Sequence, residues 1–252
     1  MSFIAVLSPA KSLRTEVVQK AVDKPVFLSR AAKINKVLKT KEPDDLMELQ
    51  GISRNLGELN ALRNKQWKSK AHEELGTPAM FTFTGDVYQG LHADTLSEKE
   101  VDSAQDQLLI LSGLYGVLRP MDAILPYRLE MGTKISVTDH KDLYAFWKKD
   151  VTKYINTHYK GRTLINLASN EYASVIDKKT LKLPVVEVVF KDFSNGKYKI
   201  VSFFAKKARG LFARYMLESA PKSIEELRAF SADGYFFDAS ISEANKLVFL
   251  RD

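Results

Sequence analysis

The chain has 252 residues, 38 Lys and Arg against 31 Asp and Glu, a formal charge of +7, 45% hydrophobic residues and no cysteine. That length and apolar content supply a packed core and exclude a wholly disordered chain. The missing cysteines exclude disulfides, thiolate catalysis, iron-sulfur clusters and cysteine zinc sites, and no apolar run reaches the roughly 18 residues of a membrane span.

The N-terminal run Met1-Ser2-Phe3-Ile4-Ala5-Val6-Leu7 has neither a basic leader nor a cleavage signal, so an unexported, cytoplasmic protein with no membrane partner is expected. Residues 3–7 read as a buried strand, with Ser8, Pro9, Ala10 and Lys11 beyond its end. Helical patterns follow at 30–38, 44–49 and 54–66. In the last two, Leu46, Leu49, Gly51, Ile52, Ser53, Gly57 and Leu59 match helix-hairpin-helix spacing, with Ser53 for the usual second glycine and Gly57 for the usual alanine. Such an element, at about 44–66, offers the amides that start its second helix to a phosphate without reading bases. Arg54, Arg63, Lys65, Lys68 and Lys70 lie on or just beyond that helix; a plain helical hairpin fits the same residues.

A strand at 80–84 runs into Gly85 and Asp86. Ser97 followed by Glu100 is a capping box that starts a helix at 98–107, and a strand at 108–111 ends in Ser112 and Gly113. Residues 112–132 are turn-rich: Gly113, Gly116, Pro120, Pro126 and Gly132 shape the segment, and Tyr115, Arg119, Asp122, Tyr127, Arg128 and Glu130 equip it. A loop of that length inside a compact domain points to function. Arg119 or Arg128 suits an anion clamp, and Asp86 or Glu130 suits a general base; structural pairing of Arg128 with Glu130 or Asp122 fits as well.

A helix at 141–157 precedes strands at 163–167 and 185–190, the first ending in Ala168, Ser169, Asn170 and Glu171. Asn195-Gly196 signals a two-residue hairpin, hence one antiparallel pair and a mixed sheet. A strand at 199–204 would put Lys206 and Lys207 at the entry of a helix at 206–217. Residues 197–214 carry Lys197, Lys199, Lys206, Lys207, Arg209 and Arg214 with no acid, interleaved with Phe203, Phe204 and Phe212, and read as a phosphate site or a solvated face. Ser223 and Glu226 form a second capping box before a helix at 224–230, and a strand at 247–250 closes the pattern. The fold expected is α/β (α+β), one domain over 1–252 with a mixed sheet flanked by helices. Because ligands of such sheets sit beyond the strands' carboxyl ends, the five polar strand ends predict one shared cleft.

The chain resembles the YaaA family of peroxide-stress proteins. The resemblance rests on Ser8-Pro9-Ala10-Lys11, Phe83-Thr84-Gly85-Asp86-Val87-Tyr88, the run Leu111-Ser112-Gly113-Leu114-Tyr115-Gly116-Val117-Leu118-Arg119-Pro120 and Pro126-Tyr127-Arg128-Leu129-Glu130-Met131-Gly132. Ile165-Asn166-Leu167-Ala168-Ser169 with Glu171-Tyr172, Ala205-Lys206-Lys207-Ala208-Arg209-Gly210, and Gly234-Tyr235 with Phe237-Asp238 continue it along nearly the full length. It implies protection against hydrogen peroxide, a lowering of free intracellular iron, and double-stranded DNA binding by an α/β fold with a helix-hairpin-helix element and a basic cleft.

The expected function is therefore binding of duplex or distorted DNA through phosphate contacts from Lys11, Arg54, Arg119, Arg128, Lys206, Lys207 and Arg209 and the amides near Gly51 and Ser53. A monomer with no cofactor and no metal site is expected, the four histidines being too scattered for a local zinc motif. One alternative is an enzyme on a nucleic acid or phosphorylated metabolite with Asp86 or Glu130 as acid/base, although no recognised catalytic motif is present. Another is an iron site built from Asp86, Glu130 and Asp238.

Overall fold

Five consecutive buried residues, Phe3–Leu7, form the centre of the sheet, pairing in parallel with Leu108–Ser112 on one side and Thr163–Asn166 on the other. In the computed structural model, which describes residues 2–14 and 16–252, the strand order continues outward from Thr163–Asn166 through Val185–Ser194 and Lys246–Arg251 to Phe236–Phe237. On the other flank Gly116–Leu118 returns antiparallel along Leu108–Ser112. The sheet is mixed, and its five inner strands run parallel. The three central strands are buried throughout, as their unbroken apolarity predicts, whereas Val185–Ser194 alternates buried and half-buried residues.

The flanking helices complete one contiguous hydrophobic core. Ser202–Ser219 lies on Val185–Ser194 and crosses Asp86–Leu91, Glu98–Gln107 covers the two central strands Phe3–Leu7 and Leu108–Ser112, and Leu143–His158 backs Gly116–Leu118. The crossing of Ser202–Ser219 with Asp86–Leu91 is set by Gly90 and Gly210: a Cβ on Gly210 would run into the Val87 carbonyl, and one on Gly90 into that of Lys207. Asn195 and Gly196, both at positive φ, make the expected hairpin between Val185–Ser194 and Lys197–Lys199.

Two apolar runs fold otherwise than expected. Residues 80–84 are split between a helical turn, Ala79–Thr82, whose first amides go to the Asp122 and Pro120 carbonyls, and a two-residue strand, Phe83–Thr84. Residues 199–204 are not a strand: Lys197–Lys199 ends the pairing and the helix starts at Ser202, so Lys206 and Lys207 sit in its second turn. Runs this short do not separate strand from helix by period. Both expected caps hold at the serine, but Glu226 reaches the amide of Lys222 instead of Ser223.

Candidate functional site

The carboxyl ends of the central strands are laced together by hydroxyl groups. Ser8 Oγ accepts the Ser169 amide at 2.9 Å and donates to Ser169 Oγ at 3.3 Å, which joins the ends of Phe3–Leu7 and Thr163–Asn166. Tyr88, on the Asp86–Leu91 helix, donates to the Ser8 carbonyl at 3.1 Å. At the third strand end Ser112 Oγ accepts the Tyr115 amide at 3.0 Å and stands 2.6 Å from the Tyr127 hydroxyl. Gly113 lets the next segment come close, since a Cβ there would lie 2.5 Å from the Leu129 carbonyl. The Gly132 amide then donates to Glu171 Oε1 at 2.9 Å, so residues 127–132 drape across all three strand ends.

Glu130 lies in that drape between two cations, 2.8 Å from Lys11 Nζ and 3.9 Å from Arg128 Nη2. Around it burial holds the Tyr88, Tyr127 and Tyr172 phenols well above their ordinary range, so they present neutral hydroxyls. Arg209 is half-buried and, among the described residues, in no ion pair; burial lowers its pKa, and Glu187, the opposing charge that offsets this in part, is already held by Asn166 at 2.6 Å and Lys178 at 3.6 Å. Asp86 opens its helix after Gly85, whose φ of 107° brings the turn against Ala10 beside Lys11. Asp86 has no ion-pair partner among the described residues.

The helical hairpin abuts this cleft. Pro43–Gln50 ends at Gly51, which is left-handed at φ 60°, and Arg54–Gln66 follows after Ser53. The helices touch at Gly57, where a Cβ would lie 2.8 Å from the Pro43 carbonyl. Ser53 makes no side-chain cap, leaving the first amides of Arg54–Gln66 outward. Gln50 donates to the Arg128 carbonyl at 3.1 Å, and at this junction two buried atoms, Arg128 Nε and Gln50 Oε1, have no hydrogen-bond partner among the described residues.

Not every expected cation arrives there. Arg119 follows Gly116–Leu118, whose return along Leu108–Ser112 carries it to the opposite end of the sheet, where its fork holds Asp122 at 3.0 Å and Asp23 at 3.1 Å. Lys207 pairs with Asp233 at 3.2 Å, and Arg54 with Asp44 at 2.9 Å and Glu58 at 3.7 Å. Lys206 is exposed and outside any ion pair among the described residues. No group of three His, Asp or Glu side chains able to hold a metal forms among the described residues, so Asp86, Glu130 and Asp238 do not converge. Ser8 and Ser169 stand at the polar strand ends that the sequence marked, whereas Tyr88 and Tyr172, on the short helices Asp86–Leu91 and Asn170–Ala173, were not expected as site residues and carry no local signal that sets them apart from core tyrosines.

The pattern of the family described as "Peroxide stress protein YaaA" matches residues 3–241. A UPF0246 protein of Flavobacterium johnsoniae is 49% identical over 249 residues, covering 98% of this chain and 99% of that protein. UPF0246 proteins of Bordetella pertussis, at 47% over 97% of both chains, and Aliivibrio fischeri, at 44% over 99% and 98%, are similar along the same span.

Proposed function

The chain belongs to the peroxide stress protein YaaA family, and from that premise we propose that it serves the peroxide response in the cytoplasm by binding duplex or distorted DNA at the strand-end cleft and its hairpin. The observation that carries this reading is the junction of Gln50 with Arg128, where a buried guanidinium N–H lacks an acceptor beside the outward amides of the second hairpin helix. That N–H is enclosed, so a phosphate oxygen supplies its acceptor as Glu130 is displaced and Arg128 swings out. Arg209 and Lys206 offer uncommitted charge, and Lys11 and Arg128 become available when a phosphate displaces Glu130. Arg119, spent on Asp122 and Asp23 at the far end of the sheet, has no part in this contact set, and Lys207 and Arg54 join it only by giving up their carboxylates. Contacts of this kind read backbone and shape rather than bases. In this reading the protein acts as a monomer and also helps limit free intracellular iron.

The test is an anisotropy titration against duplex, bulged and single-stranded DNA across a salt series, with Lys206→Glu/Arg209→Glu beside wild type. Binding that weakens steeply with salt and collapses in the variant is expected. Affinity indifferent to salt, or unchanged by the variant, sinks the reading. A second reading, an enzyme on a nucleic acid or phosphorylated metabolite, draws on Asp86, a carboxylate outside any ion pair among the described residues, at a turn that packs on Ala10, and on Glu130. It requires Asp86→Asn to abolish a turnover that wild type displays.

A further inference from the structure

Away from the strand-end cleft lies an open groove of about 990 Å³ between the outer face of Leu143–His158 and residues 177–183. The helix turns Phe146, Trp147, Val151, Tyr154 and Ile155 into the core and leaves Lys148, Lys149 and Lys153 on the groove side, where Lys160 and Lys182 join them. All five lysines are exposed, and none lies within ion-pair distance of a carboxylate among the described residues. The single acid in the lining, Asp177, is occupied by the Lys179 amide at 3.1 Å and the Thr180 hydroxyl at 3.0 Å.

The groove is built rather than incidental. Asn156 pins the far wall by donating to the Thr180 carbonyl at 2.9 Å and accepting the Lys182 amide at 2.7 Å, and Thr152 accepts the Asp177 amide at 2.9 Å. Gly161 and Leu183 precede the strands Thr163–Asn166 and Val185–Ser194, so the groove lies at the amino ends of the parallel strands, opposite the cleft.

We propose that this groove is a second nucleic-acid site, holding one phosphate backbone along the lysine row. The twelve helical steps from Ala145 to Thr157 span about 18 Å, which matches about five phosphates of one duplex strand at 3.4 Å per residue of that strand. Compact ammonium groups on flexible stems suit a chain of phosphates better than one small ligand with fixed geometry. A membrane surface fits less well, because no large hydrophobic side chain is exposed along the groove for burial among lipids. The inference stands on this groove alone and does not draw on the strand-end contacts. With both sites present, one protein molecule joins two DNA segments.

The test is the stoichiometry of a labelled duplex one helical turn long, measured by analytical ultracentrifugation with the intact chain. Wild type is compared with Lys148→Gln/Lys149→Gln/Lys153→Gln/Lys182→Gln and with Lys206→Glu/Arg209→Glu. Two duplexes per wild-type molecule and one per variant are expected, and the groove site weakens by about 500-fold from 50 to 200 mM salt if all five lysines engage. One duplex on wild type, lost only in the groove variant, upholds the groove and removes the cleft reading. One duplex lost only in the strand-end variant overturns the groove proposal and leaves the cleft reading standing. Capture of phosphatidylserine vesicles by the groove in place of the second duplex, or no duplex bound at all, also overturns it.

Discussion

Glu130 is the residue on which the two readings of the cleft part company. Held by Lys11 and facing Arg128, it competes with any incoming phosphate. Glu130→Gln is expected to tighten DNA binding by about tenfold, through loss of one repelling charge and release of a cation; an acid/base role demands instead that affinity hold and turnover vanish. Asp122 illustrates a different balance. Its carboxyl is fully buried, and burial pushes its pKa up from 3.8 to about 6 despite the Arg119 fork. Because the folded value lies above the unfolded one, its contribution is fully present below about pH 4 and is lost as the pH rises through about 6, a swing of about 3 kcal/mol. Urea melts of wild type against Asp122→Asn from about pH 4 to pH 7 are expected to shift by that amount in favour of the variant, and a flat difference refutes it. The arginines themselves were legible as charges but not as free or committed ones. Arg119, Arg128 and Arg209 look alike in sequence, and only the fold sends the first to Asp122 and Asp23 while leaving the last without a carboxylate.

Among elements, the helix Ser202–Ser219 shows why an apolar period settles some segments and not others. Its later turns carry a clear buried face with Ala208, Phe212, Ala213 and Met216, so the helix was readable there. Its first turn was not, since Phe203 and Phe204 are exposed and continue the strand-like run before them. What seats the helix is the contact of Gly210 with Gly90, a long-range fit that no local pattern announces. Gly210→Ala is expected to lower stability by about 3 kcal/mol, or about 10 °C in Tm by calorimetry, as the helices are forced apart. Tyr115 is a second keystone. Its hydroxyl receives Trp67 Nε1 at 3.0 Å and the Leu125 amide at 3.2 Å, and stands 3.0 Å from His72 Nε2. Tyr115→Phe strands buried polar atoms on all three neighbours and is expected to cost about 2–4 kcal/mol in a urea melt, with the hairpin helices loosened in turn.

At the scale of the whole molecule the charge of +7 is distributed unevenly in availability. Most strand-end cations are already paired, whereas the five lysines of the opposite groove are not. The α/β class, the mixed sheet and the gathering of Ser8, Ser112 and Ser169 at strand ends followed from apolar runs and their polar punctuation. The groove did not, because a lysine row on a helix reads as a solvated face until the 177–183 wall is folded against it. The sheet also predicts a gradient of protection. Amides of Phe3–Leu7 and Thr163–Asn166 are expected to exchange with deuterium only on global unfolding, and those of the edge strands Phe236–Phe237 and Lys197–Lys199 far sooner.

The central position of Phe3–Leu7 has a consequence for how the protein is made. This strand leaves the ribosome before the strands it pairs with, so Ala5 has no neighbour until Leu108 and then Ile165 have been synthesised. During that interval five apolar residues have no partner strand, and the sheet nucleates late, in one step, around its oldest segment. Nascent chains arrested before residue 163 are therefore expected to be aggregation-prone, and the core closes only once Lys246–Arg251, the last inner strand to be made, has joined.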